Sequence, residues 1–308
     1  MRLLSMVDLN IKIGTIEFKN PVMVASGTFG YASEFCDFFD PSVLGAVITK
    51  TVTEDFRPGN PPSRIVETTG GMLNSIGLPN SGVEPFIREK MPFLRKIKTR
   101  LIVNIAGKTG DEFARVVEKL EAVDGIDGYE LNYSCPNVKE GGLSFSADAA
   151  VAEKVTANAR KKTRRLLITK LTPNVTSIGD VGKAVENGGA DAISAINTVV
   201  GMAIDLRKKK PRLSTITGGL SGAAIKPIAM AKVYELLKRT TLPLIAIGGI
   251  TDTTDALEFL LLGACAVQIG TQNFVNPAIG RDVVEGIADY CRENHIHHIS
   301  DFTGSLVI

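Results

Sequence analysis

The sequence has no tryptophan, four cysteines and almost no excess of charge of either sign. Its 35 Lys and Arg residues against 33 Asp and Glu residues leave a net charge of +2, far below the basic excess of a nucleic-acid-binding surface. The cysteines form no C-x-x-C pair, which argues against a disulfide framework, a zinc knuckle or an iron–sulfur cluster held by this chain alone. These absences favour a reduced intracellular protein with a small-molecule ligand.

No targeting segment, membrane span or metal site is predicted. The stretch from Met1 to Asp8 reaches a charge too early for a secretory signal, and no apolar run approaches the roughly 18 residues of a membrane span. The three histidines, His295, His297 and His298, all lie near the C-terminus, where a polar stretch is usually solvated. We therefore expect a cytoplasmic protein without a metal ion.

Eight short apolar runs recur along the 308 residues, separated by stretches with helical periodicity. Such runs are typical of parallel strands buried on both faces, so eight β-α units predict an α/β TIM (β/α)8 barrel. A hairpin over residues 8–18 precedes it. A doubly wound open sheet is the alternative, but the first run leads into Gly27-Thr-Phe-Gly30, which does not fit G-x-G-x-x-G. The runs are Pro21–Gly27, Ala46–Thr51, Leu101–Ile105, Tyr129–Asn132, Leu166–Lys170, Ala192–Asn197, Pro243–Gly249 and Ala266–Thr271.

Two gaps between runs, Val52–Arg100 and Thr198–Leu242, are much longer than the others. The loops that follow barrel strands build the active-site face of this fold. We therefore expect these insertions, after the second and sixth strands, to cover a site instead of forming separate domains. On this interpretation, residues 1–308 form one domain.

The ends of the apolar runs are unusually polar or glycine-rich, as a binding site at the barrel mouth requires. Buried lysines and asparagines at these positions are costly unless a ligand or another group satisfies them. Glycines at the ends of the seventh and eighth strands let backbone N–H groups approach an anion, where barrels commonly bind phosphate. These residues are Ser26, Gly27, Lys50, Thr51, Asn104, Asn132, Lys170, Asn197, Gly248, Gly249, Gly270 and Thr271.

Two loops carry the remaining candidate chemistry. Cys135 lies just beyond a strand end in Asn132-Tyr-Ser-Cys-Pro-Asn137, in a loop punctuated by Pro and Gly that suits a catalytic thiol. We predict that the other three, Cys36, Cys265 and Cys291, are inert and buried. The second loop, Asn74-Ser-Ile-Gly-Leu-Pro-Asn80, is rich in amides, which suit a flat ligand with alternating C=O and N–H edges such as a pyrimidine.

In these motifs the sequence resembles the dihydroorotate dehydrogenases over nearly its whole length. The motifs that carry the resemblance include the two loops above and Ile216-Thr-Gly-Gly-Leu-Ser-Gly222, in the order of the family. The resemblance implies a TIM barrel that holds FMN at its C-terminal face and oxidises dihydroorotate to orotate in pyrimidine biosynthesis.

The resemblance also points to a subclass. Soluble members use a cysteine as the catalytic base, as at Cys135, whereas membrane-associated members use a serine and carry an added N-terminal segment, which we do not expect here. Three segments resemble the NAD-dependent soluble type more than the fumarate-reducing type, which stays the alternative: Val138–Gly142, Leu171–Thr176 and Asn197–Met202.

The family's roles, carried over residue by residue, imply that Cys135 removes the C5 proton of dihydroorotate while hydride leaves C6 for the flavin. Lys50 and Lys170 would lie against the flavin, and Lys50 would also reach the substrate carboxylate. The resemblance implies FMN contacts at Ser26, Gly27, Lys50, Thr51, Asn104, Asn132, Lys170, Ile196, Gly222, Gly248, Gly249, Gly270 and Thr271. It implies substrate contacts at Lys50, Asn74, Ser75, Ile76, Gly77, Leu78, Asn132, Asn197 and Thr198.

The NAD-dependent type pairs the FMN chain with a second subunit that carries FAD and a [2Fe-2S] cluster. The resemblance implies two copies of each, with a homodimer of the FMN chain at the centre of the heterotetramer. Two functions from other classes stay open. They are a Schiff-base aldolase or lyase that uses Lys50 or Lys170, and a catalytically silent phosphate-binding barrel.

Overall fold

The computed structural model describes residues 7–133, the strands at 139–140 and 143–144, and residues 148–307. Eight parallel strands close into a barrel, each paired with the next in chain order and the eighth paired with the first. In chain order the barrel strands are Val22–Val24, Ala46–Ile48, Arg100–Ile105, Gly128–Asn132, Leu166–Leu171, Ala192–Ala195, Leu244–Ile247 and Ala266–Ile269. The predicted TIM barrel is confirmed, and each of the eight strands overlaps one of the predicted runs.

The lower part of the barrel interior is filled by apolar side chains, because alternate residues of every strand point inward. The inward residues that begin the strands, such as Ala46, Leu166 and Ala192, pack in one buried cluster with Ile13 and Phe18. Ile13 and Phe18 come from the antiparallel hairpin Ile11–Ile13 and Ile16–Phe18. The predicted N-terminal hairpin is therefore confirmed, and its apolar side chains close the amino-terminal end of the barrel.

Helices cover the outside of the barrel and bury their apolar faces against the outward side chains of the strands. Side chains cap several of them at the first turn: Thr109 and Ser177, for example, accept hydrogen bonds from the backbone N–H groups of Glu112 and Asp180. The longer helices are Gly110–Glu121, Ala149–Arg160, Ile178–Asn187, Lys226–Leu237, Thr253–Leu262 and Ile279–Glu293. Shorter α-helical segments are Val83–Pro85, Met91–Leu94 and Ile299–Phe302, with a π-helical segment at Phe86–Lys90 and 3₁₀ turns at Ser33–Phe35, Pro41–Val43, Ala223–Ile225 and Thr271–Phe274.

The insertions after the second and sixth barrel strands meet in one antiparallel sheet of four strands. The sheet order is Val199–Met202, Thr217–Ser221, Gly71–Asn74 and Ile65–Thr68. The inner pair joins the two insertions, with Gly219 opposite Asn74 and Leu220 opposite Leu73. The predicted insertions are confirmed. Two further pairs are Ile204–Asp205 with Lys210–Pro211, and Lys139–Glu140 with Leu143–Ser144.

Among the described residues, no helix is both long and apolar enough to cross a membrane.

We predict that the Phe18→Ala substitution lowers the free energy of unfolding by about 3–5 kcal/mol, because it leaves a cavity at the closed end of the barrel. Phe18 is 1% exposed, whereas the neighbouring Glu17 side chain points to solvent. Urea unfolding followed by circular dichroism measures the change. The matched control, Glu17→Ala, should stay within about 0.5 kcal/mol of the wild type. Equal effects of the two substitutions would show that the hairpin does not close the barrel.

Candidate functional site at the barrel mouth

A cavity of about 700 Å³ opens at the carboxyl ends of the barrel strands. Its wall is built from the ends of the strands and from both insertions, including Asn74 of the insertion sheet. This volume lies within the range typical of sites for small molecules and cofactors. The barrel therefore has one end closed by the hairpin and a ligand-sized space at the other.

A buried lysine forms part of the cavity floor. Lys170, at the end of the fifth barrel strand, is 5% exposed and lines the cavity. Its Nζ lies 3.8 Å from Oε1 of Glu130 and 3.5 Å from Oγ of Ser26. The second lysine of the cavity wall, Lys50, follows the second strand. Two cationic groups in a recessed wall favour an anionic or electron-rich ligand.

Asn104 lies below the cavity floor and does not line it. It is fully buried, and its Nδ2 donates to Oε1 of Glu130 at 2.6 Å. Its Oδ1 accepts from Oγ1 of Thr51, also at 2.6 Å, and Thr51 does line the cavity. Asn104 is therefore linked to the cavity wall through its hydrogen bond to Thr51.

Glycines make one side of the cavity accessible to a ligand. Gly248 and Gly249, after the seventh strand, have φ angles of +130° and +72°, a region that other residues rarely adopt. A Cβ at Gly249 would lie 2.6 Å from the backbone nitrogen of Lys226, where a helix begins. At Gly27, by contrast, a Cβ would meet no atom within 4 Å, so the missing side chain leaves open space. Glycines that line the cavity beside a helix N-terminus are suited to binding phosphate.

Amide side chains converge on another part of the cavity wall. Nδ2 of Asn197 donates to Oδ1 of Asn132 at 3.4 Å, and Oδ1 of Asn197 accepts from the backbone N–H of Thr198 at 2.8 Å. Asn74 reaches the same cavity from the insertion sheet and donates to the carbonyl of Gly219. These groups present both donors and acceptors, which suits a flat ligand with polar edges.

Most of the residues predicted from the sequence share this one cavity. The residues that line it are Ser26, Gly27, Lys50, Thr51, Asn74, Ile76, Gly77, Leu78, Asn132, Lys170, Ile196, Asn197, Thr198, Gly222, Gly248, Gly249, Gly270 and Thr271. Asn104 and Ser75 are not among them. The Oγ of Ser75 instead accepts from Nδ2 of Asn60 at 2.9 Å, within the insertion. Cys135 lies outside the described residues.

The sequence analysis missed an aromatic part of the wall. Phe35, Phe38 and Phe274 line the cavity, and Phe38 and Phe274 are 55% and 58% exposed. Phe35 and Phe38 lie in and after a 3₁₀ turn with no periodic pattern, and Phe274 ends the 3₁₀ turn after the eighth strand. Only the position of Phe274 shortly after a strand end could have indicated its place.

The prediction for the other cysteines needs one correction. Cys291 is buried, Cys265 is half-buried and Cys36 is exposed, so the prediction that Cys36 is buried was wrong. Cys36 follows a 3₁₀ turn whose buried apolar residue is Phe35, which leaves Cys36 toward solvent. Burial raises the pKa of the Cys265 thiol to about 12, and partial burial together with nearby carboxylates raises the pKa of Cys36. A raised pKa keeps a thiol protonated and a poor nucleophile.

The fold and the cavity define a (β/α)8 barrel with a cavity at its C-terminal face, where enzymes of this fold have their active sites. A family profile described as "Dihydroorotate dehydrogenase" matches residues 8–290. The chain belongs to the dihydroorotate dehydrogenase family. This membership disfavours both the Schiff-base lyase and the silent barrel.

Curated relatives and a solved structure agree with this assignment. A protein of Pelobacter propionicus is 49% identical over 97% of this chain and 98% of its own length, and one of Geotalea daltonii is 50% identical over 98% and 99%. Both are named "Dihydroorotate dehydrogenase B (NAD(+)), catalytic subunit". The Eimeria tenella DHODH in complex with ferulenol has a TM-score of 0.81 at 24% identity and covers 97% of this chain and 88% of its own, which supports the fold.

We predict that Gly249→Ala lowers the free energy of unfolding by about 1–3 kcal/mol, because the new methyl group is forced into a positive-φ position against the backbone of Lys226. Thermal unfolding of the chain without added ligand, followed by circular dichroism, measures the change. The matched control is Gly27→Ala, which adds the same methyl group to open space and should not destabilise the fold. If both variants unfold at the same temperature, the turn at Gly249 accepts a methyl group and the predicted clash with Lys226 does not occur.

Proposed function

We propose that this chain is an FMN-containing catalytic subunit that oxidises (S)-dihydroorotate to orotate in pyrimidine biosynthesis and passes the electrons through a partner subunit to NAD. The observation that carries the proposal is a single cavity that joins a buried lysine, a glycine cradle and a group of amides. Relatives at 49% and 50% identity that are named as NAD-dependent catalytic subunits support the choice of substrate and acceptor.

The cavity fits FMN on three observations. The positive-φ Gly248 and Gly249 and the helix beginning at Lys226 suit a phosphate. The open space at Gly27 leaves room for a flat ring system against the backbone of the first strand end. Lys170 supplies a buried cation in the floor. A positive charge beside a flavin ring stabilises its reduced, anionic form.

When bound, FMN supplies the acceptor for the hydride that leaves C6 of dihydroorotate. Within this proposal, Gly248, Gly249, Gly270 and Thr271 bind the phosphate. The ring is contacted by Ser26, Gly27, Lys50, Thr51, Asn132, Lys170, Ile196 and Gly222. Asn104 supports this set from below through its hydrogen bonds to Thr51 and Glu130.

The amides orient the pyrimidine of the substrate. Asn74, Asn132 and Asn197 can each donate to a ring carbonyl or accept from a ring N–H, and the Asn132–Asn197 contact holds two of them together. Thr198 and the loop at Ser75, Ile76, Gly77 and Leu78 complete the proposed substrate set, with Ser75 acting through its neighbours. Lys50 binds the substrate carboxylate.

Cys135 is proposed as the base that takes the proton from C5. It follows the fourth barrel strand, whose last residue, Asn132, lines the cavity. Because Cys135 is only three residues after Asn132, the length of the chain between them allows its thiol to reach the cavity. Loss of the C5 proton to sulfur together with the C6 hydride forms the C5–C6 double bond of orotate.

We propose that the second subunit carries FAD and a [2Fe-2S] cluster and that a homodimer of this chain forms the centre of a heterotetramer. The words "catalytic subunit" in the names of the relatives support a partner. The pairing of both insertions in one sheet supports residues 1–308 as a single FMN-binding domain. The free thiols of Cys36, Cys265 and Cys291 support a reducing, cytoplasmic location.

The direct test is a visible absorption spectrum of the purified chain reconstituted with FMN, repeated after anaerobic addition of dihydroorotate. We expect a bound oxidised-flavin spectrum that bleaches on addition, because the first half-reaction needs only this chain and FMN. Addition of the same concentration of orotate should leave the flavin oxidised. A chain that takes up no FMN, or a bound flavin that dihydroorotate does not bleach, would refute the proposal.

We predict that Cys135→Ser slows the anaerobic bleaching by about 100-fold or more at neutral pH, because a serine hydroxyl is a far weaker base than a thiolate. Stopped-flow absorbance gives the rate. Cys36→Ser, which changes an exposed thiol in the same way, is the matched control and should bleach at the wild-type rate. An unchanged rate in Cys135→Ser would remove Cys135 from the reaction.

A further inference from the structure

A glutamate lies fully buried inside the barrel, directly beneath the cavity. Glu130 is 0% exposed and stands two residues before Asn132 on the fourth strand, so its side chain also points inward. It does not line the cavity. An ionised carboxylate in such a place is costly unless it is paired and hydrogen-bonded. Its presence in a fully buried strand therefore needs a physical reason.

Three side chains from three other barrel strands donate hydrogen bonds to Glu130. Nδ2 of Asn104 donates to Oε1 at 2.6 Å. Oγ of Ser194 and Nε2 of Gln268 donate to Oε2 at 2.8 and 2.7 Å. Since Oδ1 of Asn104 accepts from Thr51, its amide nitrogen is the end that faces the carboxylate. Three donors match a carboxylate, which accepts only, better than a protonated carboxyl group.

The cation that faces Glu130 belongs to the cavity floor. Nζ of Lys170 is 3.8 Å from Oε1 of Glu130, and it also reaches Oγ of Ser26, which follows the first strand. The residues beside Lys170 on the neighbouring strands, Asn132 and Ser194, are uncharged. Among the described residues, the other charged side chains of the cavity wall are Lys50 and Glu34. Glu34 is exposed and accepts from the backbone N–H of Tyr31 at the rim.

We propose that Glu130 is a positioning residue, whose buried carboxylate holds the ammonium group of Lys170 charged and fixed at the cavity floor, where it meets the bound flavin. The last part of this inference rests on the proposed function. The ion pair itself does not. Glu130 touches neither substrate nor cofactor and acts through Lys170 and, by way of Asn104, through Thr51.

The first experiment needs no flavin. The unfolding midpoint of the full chain is measured by circular dichroism between pH 6 and 10 for the wild type, Glu130→Gln, Lys170→Met and the double variant. In Glu130→Gln the buried ammonium group of Lys170 has lost its counter-charge, and burial disfavours an unpaired charge in the folded chain but not in the unfolded chain. The midpoint of Glu130→Gln should therefore rise with pH relative to that of the double variant.

Lys170→Met removes the other charge of the same ion pair, and it replaces Glu130→Gln as the test if that variant does not fold. Here the carboxylate of Glu130 is buried without a counter-charge, which disfavours its ionised form in the folded chain only, so the midpoint should fall as pH rises, again relative to the double variant. If each single variant runs parallel to the double variant across the pH range, Glu130 and Lys170 are not coupled and the proposal is overturned.

The second experiment measures FMN affinity by quenching of flavin fluorescence. We expect Glu130→Gln to weaken FMN binding by about tenfold at pH 9 and by less at pH 6, because high pH favours loss of the unpaired buried charge of Lys170. In the Lys170→Met background the same substitution should change affinity by less than about twofold, since the group through which it acts is gone. An equal loss in both backgrounds would assign Glu130 a merely structural role.

Two further variants serve as matched controls. Ser194→Ala removes one hydrogen bond from the same carboxylate but keeps both charges, so its FMN affinity should show the pH dependence of the wild type. Glu130→Asp keeps the negative charge, so the pH dependence of its FMN affinity should lie between those of the wild type and Glu130→Gln. If the wild type does not bind FMN, the proposed function fails, while the unfolding experiment still decides whether Glu130 and Lys170 are coupled.

Discussion

Closure of the barrel is the constraint on which the rest of the structure depends. Eight parallel strands pair in a ring, so every second side chain of each strand must share one interior volume. At the amino-terminal end this volume is filled by apolar side chains and closed by Ile13 and Phe18. At the other end the chain leaves the strands through glycines and polar residues, and the interior becomes a cavity. The two ends of the barrel differ because apolar side chains begin the strands, whereas polar residues and glycines follow them.

Between the apolar layer and the cavity lies a polar layer centred on Glu130. It joins the third, fourth, fifth, sixth and eighth strands through Asn104, Lys170, Ser194 and Gln268. The carboxylate of Glu130 accepts from three of these side chains and faces the fourth, and such hydrogen bonds hold the surrounding side chains in one arrangement. The barrel thereby supports Lys170 and Thr51 in the cavity wall, and the insertions supply further parts of that wall.

Strand positions were predictable because parallel strands buried on both faces need continuous apolar runs, and polar or glycine residues interrupt such runs at the mouth. The same reasoning predicts that Lys50, Lys170 and Asn132 lie at the barrel mouth, and all three line the cavity there. It could not separate Asn104, which points into the barrel below the floor, from Asn132, which reaches the cavity, because both follow apolar residues. It also gave Cys36 a buried position, although the turn beside it buries Phe35 instead.

The amino-acid sequence by itself determined the eight-strand pattern, the hairpin, the insertions and the family, because each rests on local periodicity or on contiguous motifs. Only the tertiary structure decided which polar residues meet. Glu130 and Gln268 are 138 residues apart along the chain. Phe38 and Phe274 are even farther apart along it, yet both line the same cavity. No local pattern encodes such contacts, since they arise from the stagger of strands around a closed ring.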